Sequence, residues 1–167
     1  MRTLYMIGGP MGAGKTTIGQ ALKNRLPNCA FLDGDWCWDM HPFCVTEAKK
    51  KLVLDNICHV LSNFIACNEF ENVIFCWVLH EQSTIDEILS RLELNEWKLI
   101  SVSLICTESE LVSRLQRDID AGIRSSNVIA RSLERLQHYS GIDSVKVDVT
   151  YMCPEEAAEA IKAIAGT

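Results

Sequence analysis

Near the start of the chain, Gly9-Pro10-Met11-Gly12-Ala13-Gly14-Lys15-Thr16 fits the pattern G-x-x-x-x-G-K-[ST] and is followed directly by Thr17. That spacing serves phosphate chemistry. Glycines at 9, 12 and 14 let the backbone wrap closely around phosphate oxygens, so that successive N–H groups, those of Met11 and Ala13 among them, point inward as donors. Lys15 is expected on the outer phosphates, the Thr16 hydroxyl on a magnesium ion and Thr17 on an inner phosphate. The cofactors implied are ATP and magnesium. The guanine signature N-K-x-D is missing from the segment 149–154, which favours ATP over GTP.

Asp33 and Asp35 close the apolar run Ala30-Phe31-Leu32, with Gly34 between them and Trp36 after. In an extended chain such a pair points to one side. Beside a phosphate loop, Asp33 is suited to hold magnesium through its water shell, and Asp35 to orient or deprotonate an attacking hydroxyl. The same Asp-Gly spacing also fits a plain strand-ending turn.

A migrating phosphoryl group needs positive charge, which arginine supplies with bidentate geometry. Five arginines fall at 114, 117, 124, 131 and 135. Arg114 and Arg117 stand three apart on one side of a helix. Arg117 and Arg124, on either side of a short loop around Gly122, are expected on phosphate; the alternative is a solvated helical face with Arg–Asp pairs, which is the reading for Arg135. His80 ends an apolar run, where it either touches an acceptor or sits at the surface.

These side chains need a scaffold. Apolar runs of strand length recur at 3–7, 30–32, 73–77, 99–106 and 145–149, residues 1–7 already reading as a core strand, with stretches of helical period between them. That alternation predicts an α/β fold with an open parallel sheet and helices on both faces. Ligands of such sheets lie beyond the carboxyl ends of the strands, where the phosphate loop, the aspartate pair and His80 all fall. Ala48, Leu52, Ile57, Leu61, Phe64 and Ile65 repeat near the helical period and predict a long helix over 45–67. Thr84 with Glu87 and Thr107 with Glu110 have capping-box spacing, Pro154 suits a first turn, and further helices are predicted at 128–139 and 154–164.

The 167 residues fit one domain, able to bury roughly two-thirds of its unfolded surface. A net charge of −6 argues against a nucleic-acid partner, because duplex binding is driven by clustered cations. The eight cysteines form no C-x-x-C pair, so a zinc site is not expected, and most lie in apolar runs where cysteine acts as a small hydrophobe. Their spacing, with no long apolar span, points to the reducing cytoplasm and to no membrane partner.

The loop at 9–17, followed by Leu32-Asp33-Gly34-Asp35 and His41-Pro42, resembles gluconate kinases and, more broadly, the shikimate kinase and adenylate kinase group of small P-loop kinases. The resemblance implies a three-layer α/β/α P-loop fold with a five-stranded parallel sheet in the order 2-3-1-4-5. It also implies a substrate-covering helical region after the second strand, a lid at about 118–130, and an adenine-covering loop at 149–154. In that group the second aspartate, here Asp35, contacts the acceptor hydroxyl. The activity implied is transfer of the γ-phosphate of ATP to a small-molecule acceptor, by a monomer or homodimer.

The chain departs from the gluconate kinase pattern at Phe43-Cys44-Val45-Thr46-Glu47, without the polar, basic stretch that serves gluconate there. Trp36, Trp38 and Phe43 suggest a flatter or less polar acceptor, although aromatics so close to a sheet also serve as core. Two alternatives stand beside this reading. A nucleoside monophosphate kinase would need arginines in the segment after the second strand, and residues 36–70 hold none. A non-catalytic ATP-binding regulatory module would keep Lys15 and lose the carboxylate pair, which is present.

Overall fold

In the computed structural model, which describes residues 2–166, the five apolar runs pair into one parallel sheet. Met1 and Thr167 lie outside the described residues. β1 (Arg2–Gly8) is central, between β3 (Asn72–Cys76) and β4 (Trp97–Ile105); β2 (Cys29–Asp33) lies beyond β3 and β5 (Val145–Asp148) beyond β4. The order β2-β3-β1-β4-β5 is the one the resemblance implies. Ile7 pairs with both Cys76 and Val102, so the three inner strands run in register toward one edge; β3 ends at that pair, β1 one residue on, and β4 continues to Ile105.

Alternate residues of β1 feed two apolar clusters, as the period of a strand requires. On one face Tyr5 and Ile7 meet α1 (Lys15–Lys23), α4 (Glu108–Asp120), α5 (Val128–Leu136) and α6 (Pro154–Ala165), with Leu22, Leu111, Leu115 and Ile161 fully buried. On the other, Leu4 and Met6 meet α2 (Glu47–Ala66) and α3 (Gln82–Ser90) through Ile57, Leu61 and Ile88. The result is a three-layer α/β/α fold.

Several local expectations shift. In α2, capped by Thr46, Ile57, Leu61 and Ile65 are buried, but Ala48 and Leu52 face solvent. Val53 stands four residues before Ile57 and takes the inward place, whereas Leu52 stands five before it and leaves the stripe. The capping box expected at Thr84 and Glu87 does not form. α3 begins earlier, at Gln82, where the Glu81 carbonyl already accepts from Thr84 N–H, and Glu87 pairs instead with Arg91. At α4 only half of the expected capping box is present: Thr107 Oγ1 accepts the Glu110 N–H at 3.4 Å, while the Glu110 carboxylate turns to Arg114. The helix expected to run on to residue 139 gives way after Leu136 to a 3-10 turn, Gln137–Gly141, which swings the Tyr139 side chain fully into the core.

All eight cysteines are free thiols, with Cys58, Cys76 and Cys106 buried. Among the described residues no helix is long and apolar enough to cross a membrane.

Candidate active site

Residues 9–14 carry the chain round the carboxyl edge of the sheet from β1 into α1. Gly12 (φ 87°) and Gly14 (φ 92°) adopt left-handed backbone, where a side chain is strained. A Cβ on Gly12 would also stand 2.8 Å from Leu115 Cδ2, so only glycine lets the loop rest on α4. Gly14 begins α1, whose unpaired N–H groups and positive end open into a cavity of about 630 Å³. Met11, Gly12, Ala13, Gly14, Lys15, Thr16 and Thr17 line it.

Gly9, expected among the phosphate contacts, does not line this cavity. Its N–H donates to the Val78 carbonyl at 3.3 Å, and its own carbonyl accepts from Lys15 Nζ at 2.8 Å. It is the joint between strand and loop. The Val78 carbonyl also accepts the Tyr139 hydroxyl, and the next residue, Leu79, holds a left-handed backbone (φ 41°).

Lys15 Nζ donates additionally to the Pro10 carbonyl at 2.9 Å. Burial presses this ammonium below the ordinary lysine range, with Asp35, Cys76 and Asp33 acting against the shift.

Asp33 ends β2 as a buried carboxylate with both oxygens engaged. Oδ2 accepts the Thr16 hydroxyl at 2.6 Å and Oδ1 accepts the Asp35 N–H at 3.0 Å. The chain through this pair is not extended. Asp33 caps a 3-10 turn, Gly34–Trp38, so the turn and the site coexist: Asp33 stays under Thr16 while Asp35 is lifted into the open. Gly34 permits this because the Trp77 ring packs on its α-carbon, where a Cβ would meet Trp77 Cγ at 2.5 Å. The Trp77 side chain in turn lies beside Asp35 and draws its carboxyl pKa down. Surrounding protein, and then Asp33, hold the Asp35 carboxyl above the usual range against the pull of Lys15, which makes it a stronger base than a free carboxylate.

A second cavity, of about 1160 Å³, opens on the other side of Asp35. Met11, Lys15, Thr16 and Asp35 line both cavities. The walls of the larger one include Trp36, Trp38, Phe43 and Trp77, together with Lys50, His80, Arg131 and Arg135. Arg135, expected on a solvated face, is therefore half-buried at this site instead, because α5 runs back over the sheet edge. His80 also lines the cavity. Its ring lies 5.7 Å from that of His138, and burial followed by the Arg135 charge presses its pKa down, favouring the neutral imidazole. Trp77, Arg131 and Arg135 are site residues that no local motif signals.

Of the other arginines, Arg114, Arg117 and Arg124 line the smaller cavity. Arg124 Nε donates to Asp118 Oδ2 at 2.9 Å, so its Arg–Asp pair and its place at the cavity coexist; its charge is felt at Lys15 and Asp35. Arg117 is 70% exposed, approaching Glu110 at 3.9 Å and donating Nε–H to the Ser113 carbonyl at 3.5 Å. Arg114 ties α4 to the segment after β5, through Glu110 Oε1 and the Val149 carbonyl, both at 2.8 Å.

Thr16 and Asp33 offer oxygen donors of the kind magnesium takes. Among the described residues there is no cluster of three or more His, Cys, Asp or Glu side chains placed to hold a metal.

A family model described as an AAA domain matches residues 6–137. No curated protein matches the chain by sequence. Among solved structures, the tunicamycin resistance protein of Deinococcus radiodurans superposes with a TM-score of 0.72 at 19% identity, over 99% of this chain and 96% of that one. A gluconokinase from Sinorhizobium meliloti gives 0.71 at 20% identity with the same coverage. Shikimate kinase from Aquifex aeolicus gives 0.66 at 20% identity, over 98% of this chain and 96% of that one. At such identities the likeness speaks for the fold. With the family model reaching from β1 to the turn after α5, the chain belongs to the AAA domain family and has the fold of the small P-loop kinases.

Proposed function

We propose that this protein is an ATP- and magnesium-dependent kinase that transfers the γ-phosphate to a hydroxyl of a small-molecule acceptor. The observation that carries this reading is the junction of two cavities, with Lys15, Thr16 and Asp35 common to both. A nucleotide in the smaller cavity would receive the N–H groups of residues 11–17 on its phosphates, and Lys15, with a third donor left after Gly9 and Pro10, would reach the outer ones. Thr16 and Asp33 would hold magnesium, which neutralises phosphate charge when bound. Asp35 takes the proton of the acceptor hydroxyl as its oxygen bonds to phosphorus and the bond to the leaving ADP breaks. Arg117, on α4 just before the lid, and Arg124, on the lid at about 118–130, add charge to the migrating group.

The acceptor occupies the larger cavity, where Arg131, Arg135 and Lys50 suit an anionic substituent. Those arginines favour a nucleoside monophosphate as second reading, since α5 supplies the arginines missing from residues 36–70. One domain acting as monomer or homodimer in the cytoplasm agrees with the free thiols.

The test is ADP release with ATP and magnesium over a panel of sugar acids, nucleosides, nucleotides, aminoglycosides and aromatic alcohols. Acceptor-dependent release in the wild type is expected, falling by at least about 10² in Lys15→Ala. ATP binding with no acceptor-dependent release anywhere in the panel would leave a regulatory module.

A further inference from the structure

The wall of the larger cavity is built in an unusual way for a site that takes a polyol. Three of the chain's four tryptophans stand on it, and each is braced from behind or beside by a second ring. Trp36 lies edge-on to Phe31 with centroids 5.6 Å apart, Trp38 to Phe43 at 6.1 Å, and Trp77 is tilted on the buried Phe75 at 6.3 Å. Bracing fixes the rings before anything binds, which lowers the ordering cost of using them as a platform.

Their burial shows that this is not simply core. Trp36 remains 56% exposed and Phe43 65% exposed, so much of their apolar surface contributes nothing to folding. Contiguous exposed rings on a concave surface mark a binding site, whereas scattered ones do not.

We infer that the acceptor carries a planar aromatic or conjugated ring system, larger than a monosaccharide acid, which lies against Trp36, Trp38 and Trp77 while its hydroxyl reaches Asp35. This rests on the kinase reading above. Size agrees, because about 1160 Å³ lies just above the roughly 300–1,000 Å³ typical of sites for drug-sized ligands, leaving room for more than a monosaccharide acid.

Chemistry agrees too. A polyol lying on the rings would find one indole N–H per tryptophan, and its remaining hydroxyls would have to reach past the rings to Lys50, His80, Arg131 and Arg135. The tryptophan face therefore favours a ring over a polyol. Continuity with Lys15 and Asp35 on the floor of the same cavity makes the occupant the acceptor rather than a second copy of the chain.

The experiment is isothermal titration calorimetry of the full chain, with magnesium and a non-hydrolysable ATP analogue present, using naphthaleneethanol as planar probe and gluconate as polyol probe. Wild-type, Trp36→Ala and Phe43→Ala proteins are compared, their folding checked by melting temperature, which should hold because both side chains are largely exposed. Saturable binding of naphthaleneethanol, weakened roughly ten-fold in Trp36→Ala with analogue affinity unchanged, supports the inference. Tighter binding of gluconate, no binding of the planar probe, or equal affinity in Trp36→Ala overturns it. So does self-association, seen in sedimentation, that Trp36→Ala and Phe43→Ala abolish. Planar binding that depends on Trp36, with no phosphate transfer to any bound alcohol, would uphold the ligand class while removing the kinase reading.

Discussion

Thr16 Oγ1 donates to Asp33 Oδ2 at 2.6 Å, so the first turn of α1 and the end of β2 bring two oxygen donors to one point beside the phosphate loop. If that point is the magnesium position, Asp33→Asn and Thr16→Ala should each shift the magnesium dependence of the rate, by about 10–100-fold in metal concentration. Rate measured against magnesium at fixed ATP, beside ATP affinity, reads this. Unchanged midpoints in both variants would leave the hydrogen bond as a purely structural link.

Asp35→Asn keeps the shape of the side chain and removes the base. Transfer should fall by roughly 10²–10⁴ while ATP affinity holds, because the loop contacts do not use this carboxylate. Equal acceptor-dependent rates in variant and wild type would take Asp35 out of the mechanism.

The raised pKa of Asp35 carries a pH signature in both activity and stability. Loss of activity on acidification should begin above the usual carboxylate range, since the base is protonated there. For stability the sign is opposite to that of a salt-bridged aspartate. The folded state holds the proton to higher pH than the unfolded chain, so stability falls as pH rises through that window, and the charged form opposes folding above it. Asp35→Asn should therefore melt no lower than wild type at neutral pH, the two curves converging in acid. A clear drop in melting temperature at neutral pH would show that the carboxylate stabilises the fold.

Gly34→Ala places a methyl group against the Trp77 ring, within 2.5 Å of Cγ on the present backbone. The indole must move, and with it the influence of Trp77 on the Asp35 carboxyl. The expected result is a fall in transfer with ATP affinity retained, since residues 9–17 are untouched. Wild-type turnover in Gly34→Ala would show that Trp77 does not position Asp35.

Ile57 and Leu61 are both fully buried on α2, against the sheet face opposite the phosphate loop. Truncating either to Ala should cost about 2–5 kcal/mol in denaturant unfolding, with ATP affinity per folded molecule unchanged. An unchanged midpoint would contradict the packing of this helix.

Residues 9–17 were legible in the sequence because their chemistry is local. Left-handed glycines, a strand before and a helix after are conditions that neighbouring residues impose on one another within a few bonds, and the same holds for the Thr107 cap and for Pro154 in the first turn of α6. The aspartate pair was legible in type and as a strand-ending turn, but the coexistence of turn and site was not, since the Trp77 ring that packs on Gly34 arrives from just after β3, some forty residues later. Arg131 and Arg135 showed only as charges on a helix; the return of α5 over the sheet edge is what brings them to the cavity of Asp35 and His80. Gly9 moved the other way, from phosphate contact to joint, because the Val78 carbonyl claims its N–H across the sheet. The sequence by itself thus determined the phosphate loop and the alternation of strands and helices, which depend on backbone preferences and period. Only the tertiary structure decided which distant side chains share the acceptor cavity, because strand order and register are set by packing two apolar faces at once, and no segment carries that information alone.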